Sequence, residues 1–124
     1  MSLAAITGAK TFELDGFTFR PLAVPSRGST ELAIWSLELA PGARSEFHQM
    51  DREEVFVVIT GKVSATVGGE EIAAEAGDAI IVPASTVLQI RNGCPENPAT
   101  LTAATSAGMK VTVGGATFPP PWAQ

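Results

Sequence analysis

One histidine and one cysteine in 124 residues restrict the chemistry of this chain before any motif is sought. A single chain so equipped cannot assemble the multi-His or multi-Cys shells that hold zinc tightly, and it cannot close an internal disulfide. The cysteine, Cys94, stands in the turn-rich stretch Gly93-Cys94-Pro95-Glu96-Asn97-Pro98 with no cationic neighbour to activate a thiolate. It reads as a free loop thiol in a reducing compartment. Positive charge is scarce too: eight Lys and Arg against thirteen Asp and Glu leave a net charge of −5, with no basic cluster to neutralise phosphates. The expected partners therefore include neither nucleic acid nor a membrane surface. Long apolar runs are also missing, since the longest, Val55-Phe56-Val57-Val58-Ile59, is far too short to cross a bilayer. Residues 1–10 lack the basic region and apolar run of a secretory signal, so the expected location is the cytoplasm.

What is present is a set of short apolar runs punctuated by Gly, Pro and Asp, with no helical stripe sustained over a dozen residues. That pattern predicts an all-β fold, and the 45% hydrophobic content in a chain of this length fits one domain with one core. Phe12-Glu13-Leu14 and Phe17-Thr18-Phe19 flank Asp15-Gly16, a dipeptide suited to the positive φ angles of a tight hairpin. Lys62–Val67 alternates polar and apolar residues and runs into Gly68-Gly69, with Glu70-Glu71-Ile72 beyond, which predicts a second hairpin. Further strands are expected over 32–39, 54–60, 79–82, 87–92, 101–104 and 110–113, a spacing that favours a sandwich or barrel. The predicted organisation is a single domain over 1–124. It has a core barrel over about 30–113, an N-terminal hairpin over 10–22 and an extended, Pro-rich tail over 114–124 lying on the surface.

Two strands are apolar on both faces. Glu54–Ile59 is apolar apart from Glu54, and in 32–39 Leu32 and Ile34 alternate with Trp35, Leu37 and Leu39. One barrel has only one inside, so a homodimer is expected.

The residues able to carry chemistry gather in Pro41-Gly42-Ala43-Arg44-Ser45-Glu46-Phe47-His48-Gln49-Met50-Asp51-Arg52-Glu53-Glu54. Glu46, Asp51, Arg52 and Glu53 read as a solvated turn. Glu54 differs because it heads a strand built for burial, and a buried carboxylate needs a partner. His48 and Met50 share a strand face, so one imidazole and one carboxyl group are expected to meet inside the barrel.

This stretch resembles the first motif of the cupin superfamily, G-x5-H-x-H-x3-E-x6-G: Gly42, His48, Glu54 and Gly61 match, and Met50 stands at the second His. Residues 77–92 resemble the second motif, G-x5-P-x-G-x2-H-x3-N, in which Gly77, Pro83 and Asn92 match while Ser85 replaces a Gly and Leu88 the His. The resemblance implies a small single-domain cupin: a double-stranded β-helix, or jelly-roll barrel, whose pocket in the family often holds a divalent metal on three His and a Glu. Only His48 and Glu54 of those four positions remain, so no metal cofactor is expected; a divalent ion, if bound, would rest on those two. A copper(I) site on His48 and Met50 is a further arrangement the donors allow.

Four readings of the pocket stay open. It binds a small organic molecule between Met50, Phe56, Leu88 and Ile90, with His48 and Glu54 as the polar handle. It is a metal-free isomerase, epimerase or cyclase in which Glu54 orients His48 and His48 moves a proton. It is a residual metal-dependent dioxygenase or isomerase. Or His48 and Glu54 pair with each other in a purely structural role. The first is preferred, and the residues leave binding and catalysis both open.

Overall fold

The computed structural model describes residues 2–124. The strands among them are β1 (Phe12–Leu14), β2 (Phe17–Ala23), β3 (Leu32–Leu39), β4 (Gln49–Met50), β5 (Glu54–Thr60), β6 (Lys62–Val67), β7 (Glu70–Glu75), β8 (Ala79–Val82), β9 (Leu88–Asn92), β10 (Ala99–Ser106), β11 (Val111–Val113) and β12 (Ala116–Phe118). One sheet has six strands in the order β1-β2-β3-β10-β5-β8, and every pairing in it is antiparallel. Two three-stranded sheets, β12-β11-β4 and β7-β6-β9, are joined by residues 43–48 into the opposing wall. That segment runs antiparallel to β9, with bridges at Arg44–Arg91 and His48–Leu88, and continues into β4. The result is the jelly-roll barrel. No helix among the described residues is long and apolar enough to cross a membrane.

Alternation fixes which side chains enter the barrel. In β3 Ala33, Trp35, Leu37 and Leu39 are buried, in β5 Glu54, Phe56 and Val58, and in β9 Leu88, Ile90 and Asn92. Gln89 and Arg91 point the other way, where Arg91 binds Thr66, Gln89 and Glu71. Asn92 is a clamp rather than a site. Its amide donates to the carbonyls of Leu39, Ala40 and Asn97 and its Oδ1 accepts the Cys94 N–H at 2.8 Å, which ties the 92–97 loop to the end of β3. Ser85, at the glycine position of the second motif, has a left-handed backbone with φ 58°, and its N–H donates to the Met50 carbonyl at 2.7 Å.

The tail departs from the expected extended strap. Gly114 and Gly115 have φ of 57° and 81°, the pair of positive angles that a two-residue hairpin needs, so β12 folds back on β11. A 3-10 turn over Pro121–Ala123 then carries Trp122 onto Phe19, with ring centroids 3.9 Å apart and planes within 14°. The end of the chain is held by the Ser26 N–H, which donates to the Gln124 carbonyl at 2.7 Å. Pro120 and Ala123 are thus buried and Trp122 half-buried against the barrel, while Pro119, Pro121 and Gln124 stay exposed.

The outer face of the six-stranded sheet carries a continuous apolar row. Cross-strand register aligns Ile81 with Val55, Val55 with Ala104 and Ala104 with Ile34. Ile81 in this row is 60% exposed, and Leu32 and Ile59 beside it are 56 and 52% exposed.

Candidate functional site

A cavity of about 320 Å³ lies between the walls of the barrel. Its surface is mainly apolar, with Phe17 and Phe19 from β2, Trp35 from β3, Phe56 from β5, Phe118 from β12 and Trp122 from the tail as its aromatic residues. Leu14, Leu37, Met50, Ile90, Val111 and Val113 add aliphatic surface, and Asp15, Ser45, Glu46, His48 and Glu54 supply the polar groups. Of the residues singled out from sequence, His48, Met50, Glu54, Phe56 and Ile90 stand on this wall. Leu88 does not: it is fully buried in the core beside the cavity, between the paired backbones of His48 and Val67. Sequence reasoning misses both tryptophans. The inward alternation of β3 is a signal for Trp35, whereas Trp122 gives none unless Gly114-Gly115 is taken as a hairpin.

His48 is placed by its own backbone, which exchanges two hydrogen bonds with Leu88 at 2.9 and 2.8 Å. Its Nδ1 lies 2.8 Å from the Glu46 carbonyl oxygen. A carbonyl only accepts, so Nδ1 carries the hydrogen and Nε2 is the lone-pair nitrogen of the neutral ring. Burial pulls the His48 pKa below 6.5, against the opposing effect of the Glu46 carbonyl.

Glu54 opens β5 and is 1% exposed. Neither carboxyl oxygen has a hydrogen-bond partner among the described residues. Desolvation pushes its pKa from 4.5 up to about 8, so at neutral pH the group is mostly the uncharged acid. The expected pairing of Glu54 with His48 is not formed. The imidazole folds back on the carbonyl two residues earlier, and Glu54 enters from the opposite sheet, where the hydroxyl of its cross-strand neighbour Thr105 is given to the Glu53 carbonyl. Glu46, read from sequence as part of a solvated turn, keeps an exposed side chain but supplies the carbonyl that sets the tautomer.

The family profile of the cupin domain matches residues 35–105, more than half of the chain. The chain belongs to the cupin family. Solved cupin structures share the fold at low identity. An RmlC-like cupin from Shewanella frigidimarina is 19% identical, with 87% of this chain and 92% of that one covered and a TM-score of 0.73. The polyketide cyclase RemF from Streptomyces resistomycificus is 16% identical, with coverage of 98 and 88% and a TM-score of 0.79. KdgF from Halomonas sp. is 18% identical, with coverage of 86 and 93% and a TM-score of 0.72. No curated protein matches this cupin in sequence.

The metal of the family does not fit the donors of this cupin. The four corresponding positions hold one imidazole, one thioether, one carboxyl group and one hydrocarbon, from His48, Met50, Glu54 and Leu88. A thioether is a soft donor, ill matched to the divalent ions that imidazole and carboxylate favour, and Leu88 donates nothing. Among the described residues no three His, Cys, Asp or Glu side chains are grouped to hold an ion.

The buried carboxyl makes stability depend on pH. Between 4.5 and about 8 the unfolded chain has released the Glu54 proton and the folded one retains it, so this group lowers stability as pH rises through that window. His48 acts oppositely, losing stability for the fold as pH falls below 6.5. Above 6.5 only the Glu54 effect remains of the two, with a slope of at most about 1.4 kcal/mol per pH unit. Urea unfolding is expected to show Glu54→Gln gaining about 1–2 kcal/mol on the wild type between pH 6.5 and 8. A difference that stays constant across that range contradicts the placement of an unpartnered carboxyl.

Proposed function

We propose that this cupin binds a small organic molecule in the barrel cavity without the family's metal. One observation carries the reading. The cavity lies between the two walls of the barrel with a lining that is mainly apolar, and His48 is its one imidazole. Apolar cavities with a few polar groups are where folded proteins take up small organic molecules. The volume of about 320 Å³ falls in the range of small-molecule sites.

A second reading, metal-free proton transfer, is favoured by the protonation pattern. His48 presents a lone pair at Nε2, and Glu54 holds a proton near neutral pH, so residues of the same cavity wall supply a base and an acid. With a ketone bound, His48 Nε2 would take a proton from the carbon next to the carbonyl while the Glu54 hydroxyl gives its proton to the carbonyl oxygen. An enol forms, and return of a proton to another carbon completes an isomerisation or prepares a ring closure. The similarity of fold to the polyketide cyclase RemF is compatible with such chemistry.

Calorimetry with 2-naphthol tests the first reading. The expected result is one site per chain, unaffected by EDTA and abolished by Phe56→Trp, which fills the cavity. Binding that requires added metal, or none by 2-naphthol and similar neutral aromatics, overturns it. For the second reading, hydrogen exchange of 1-indanone in D2O is expected to be accelerated by the wild type and lost in His48→Asn. Equal exchange in the two proteins contradicts it.

We also propose that the outer face of the six-stranded sheet pairs with a second copy of the chain. The outward positions of β5 and β8, namely Val55, Val57, Ile59, Ala79 and Ile81, carry no charge that another partner could recognise. The apolar row is self-complementary about a two-fold axis. Sedimentation is expected to give a dimer at micromolar concentration and a monomer for Val55→Glu/Ile81→Glu; a wild type that is strictly monomeric contradicts the proposal.

A further inference from the structure

The chemistry of the ligand follows from which polar side chains of the cavity wall are free to meet it, an inference that rests on the binding reading above. Among the described residues no Lys or Arg lines the cavity. The indole N–H groups of Trp35 and Trp122 and the carboxyl oxygens of Glu54 are covered by protein atoms. Ser45 gives its hydroxyl to the backbone, donating to the Glu46 carbonyl and accepting the Ile90 N–H, both at 3.0 Å. Asp15 and Glu46 are exposed residues of the wall, and a carboxylate accepts hydrogen bonds without donating any.

His48 differs from all of these. Its backbone pairs with that of Leu88, and residues paired across strands share a face; Leu88 is fully buried on the inner side of β9, so the imidazole points inward. With its Nδ1–H on the Glu46 carbonyl, the ring holds a lone pair at Nε2 that has no partner among the described residues. His48 is only half-buried, and Nε2 is not covered as the indole nitrogens are. The free polar side chains of the wall therefore accept hydrogen bonds and do not donate them.

A ligand that only accepts would leave Nε2 unsatisfied. An anion would meet Asp15 and Glu46 and no counter-charge. A cation beside Nε2 would lose its water to the same burial that lowers the His48 pKa. An uncharged donor suffers none of these costs. At the roughly 30 Å³ that one water occupies in the liquid, the cavity holds about ten non-hydrogen atoms, and its six aromatic residues favour a ring. A sugar of that size would carry hydroxyl groups that the apolar wall cannot match.

We propose that the cavity selects an uncharged aromatic compound of about ten non-hydrogen atoms bearing one hydroxyl group, whose hydrogen is donated to the lone pair of His48 Nε2.

Four compounds of matched ring system test this: 5-indanol, indane, 1-indanone and 2-aminoindane as the ammonium ion. Calorimetry is expected to show 5-indanol binding about tenfold tighter than indane or 1-indanone, the worth of one good hydrogen bond, with the ammonium ion weaker still. Because the chain has one histidine, 15N-histidine labelling of the untagged protein reports on His48 alone. The Nε2 signal is expected to move upfield with 5-indanol, as a nitrogen lone pair does on accepting a hydrogen bond, and to move far less with indane. His48→Phe, which keeps a ring and removes the acceptor, is expected to cut the preference for 5-indanol over indane to about threefold or less while indane binding survives. Equal affinity for indane and 5-indanol, or an Nε2 signal unmoved by bound 5-indanol, overturns the proposal and leaves the apolar binding site standing. Tighter binding of 1-indanone than of 5-indanol overturns it by showing that a covered donor turns into the cavity. Tightest binding by the ammonium ion overturns it in favour of cation recognition by the aromatic residues and the two carboxylates. Binding of none of the four overturns this proposal and the binding reading together. The spectrum of the unmutated protein decides the question even where His48→Phe fails to fold.

Discussion

Removing the Glu54 carboxyl from water without giving it a hydrogen-bond partner is the constraint around which the interior of this barrel is arranged. β5 begins at Glu54, and its register against β8 and β10 turns that side chain inward with Phe56 and Val58. The hydroxyl of its cross-strand neighbour Thr105 is given to the Glu53 carbonyl and the carboxyl makes no hydrogen bond, so burial acts on it alone and holds its proton to about pH 8. A charged form would demand compensation that the surrounding Phe, Trp and Met side chains do not supply. The neutral form can donate one hydrogen bond and accept others.

The same constraint accounts for the departures from the family pattern taken together. Met50 is 4% exposed on the cavity wall and Leu88 is fully buried, so where the family places imidazoles this chain has hydrocarbon and thioether. The cavity thereby loses ligands and gains apolar surface, which reinforces the desolvation of Glu54. His48 stays, but its Nδ1–H is engaged by a carbonyl, leaving a neutral ring with one free nitrogen. Where cupins often hold a metal, this chain has an apolar cavity wall with a few isolated hydrogen-bonding groups.

Much of the fold is legible in the sequence because its signals are local. Asp15-Gly16 and Gly68-Gly69 announce hairpins through backbone chemistry, and period-two alternation in 32–39 and 88–92 assigns inner and outer faces. The spacing Gly42, His48, Glu54, Gly61 identifies the family. The site is only half legible because its contents are brought together by long-range folding. Trp122 reaches the cavity through a Gly-Gly hairpin and a 3-10 turn, and its place on Phe19 depends on contacts about a hundred residues apart in the chain. The expected pairing of His48 with Glu54 fails for a similar reason. Alternation shows which face a side chain takes, but not that an imidazole will find a backbone carbonyl two residues away before it finds a carboxyl on the opposite sheet.

The most direct test of this arrangement is a 13C NMR titration of the Glu54 side-chain carboxyl in the purified protein, assigned by comparison with Glu54→Gln. The unpartnered, desolvated group described above is expected to titrate near pH 8. A midpoint in the ordinary carboxylate range, near 4.5, would mean that water, a hydrogen-bond donor or a positive charge stands against it, and the unpartnered, desolvated carboxyl would be contradicted.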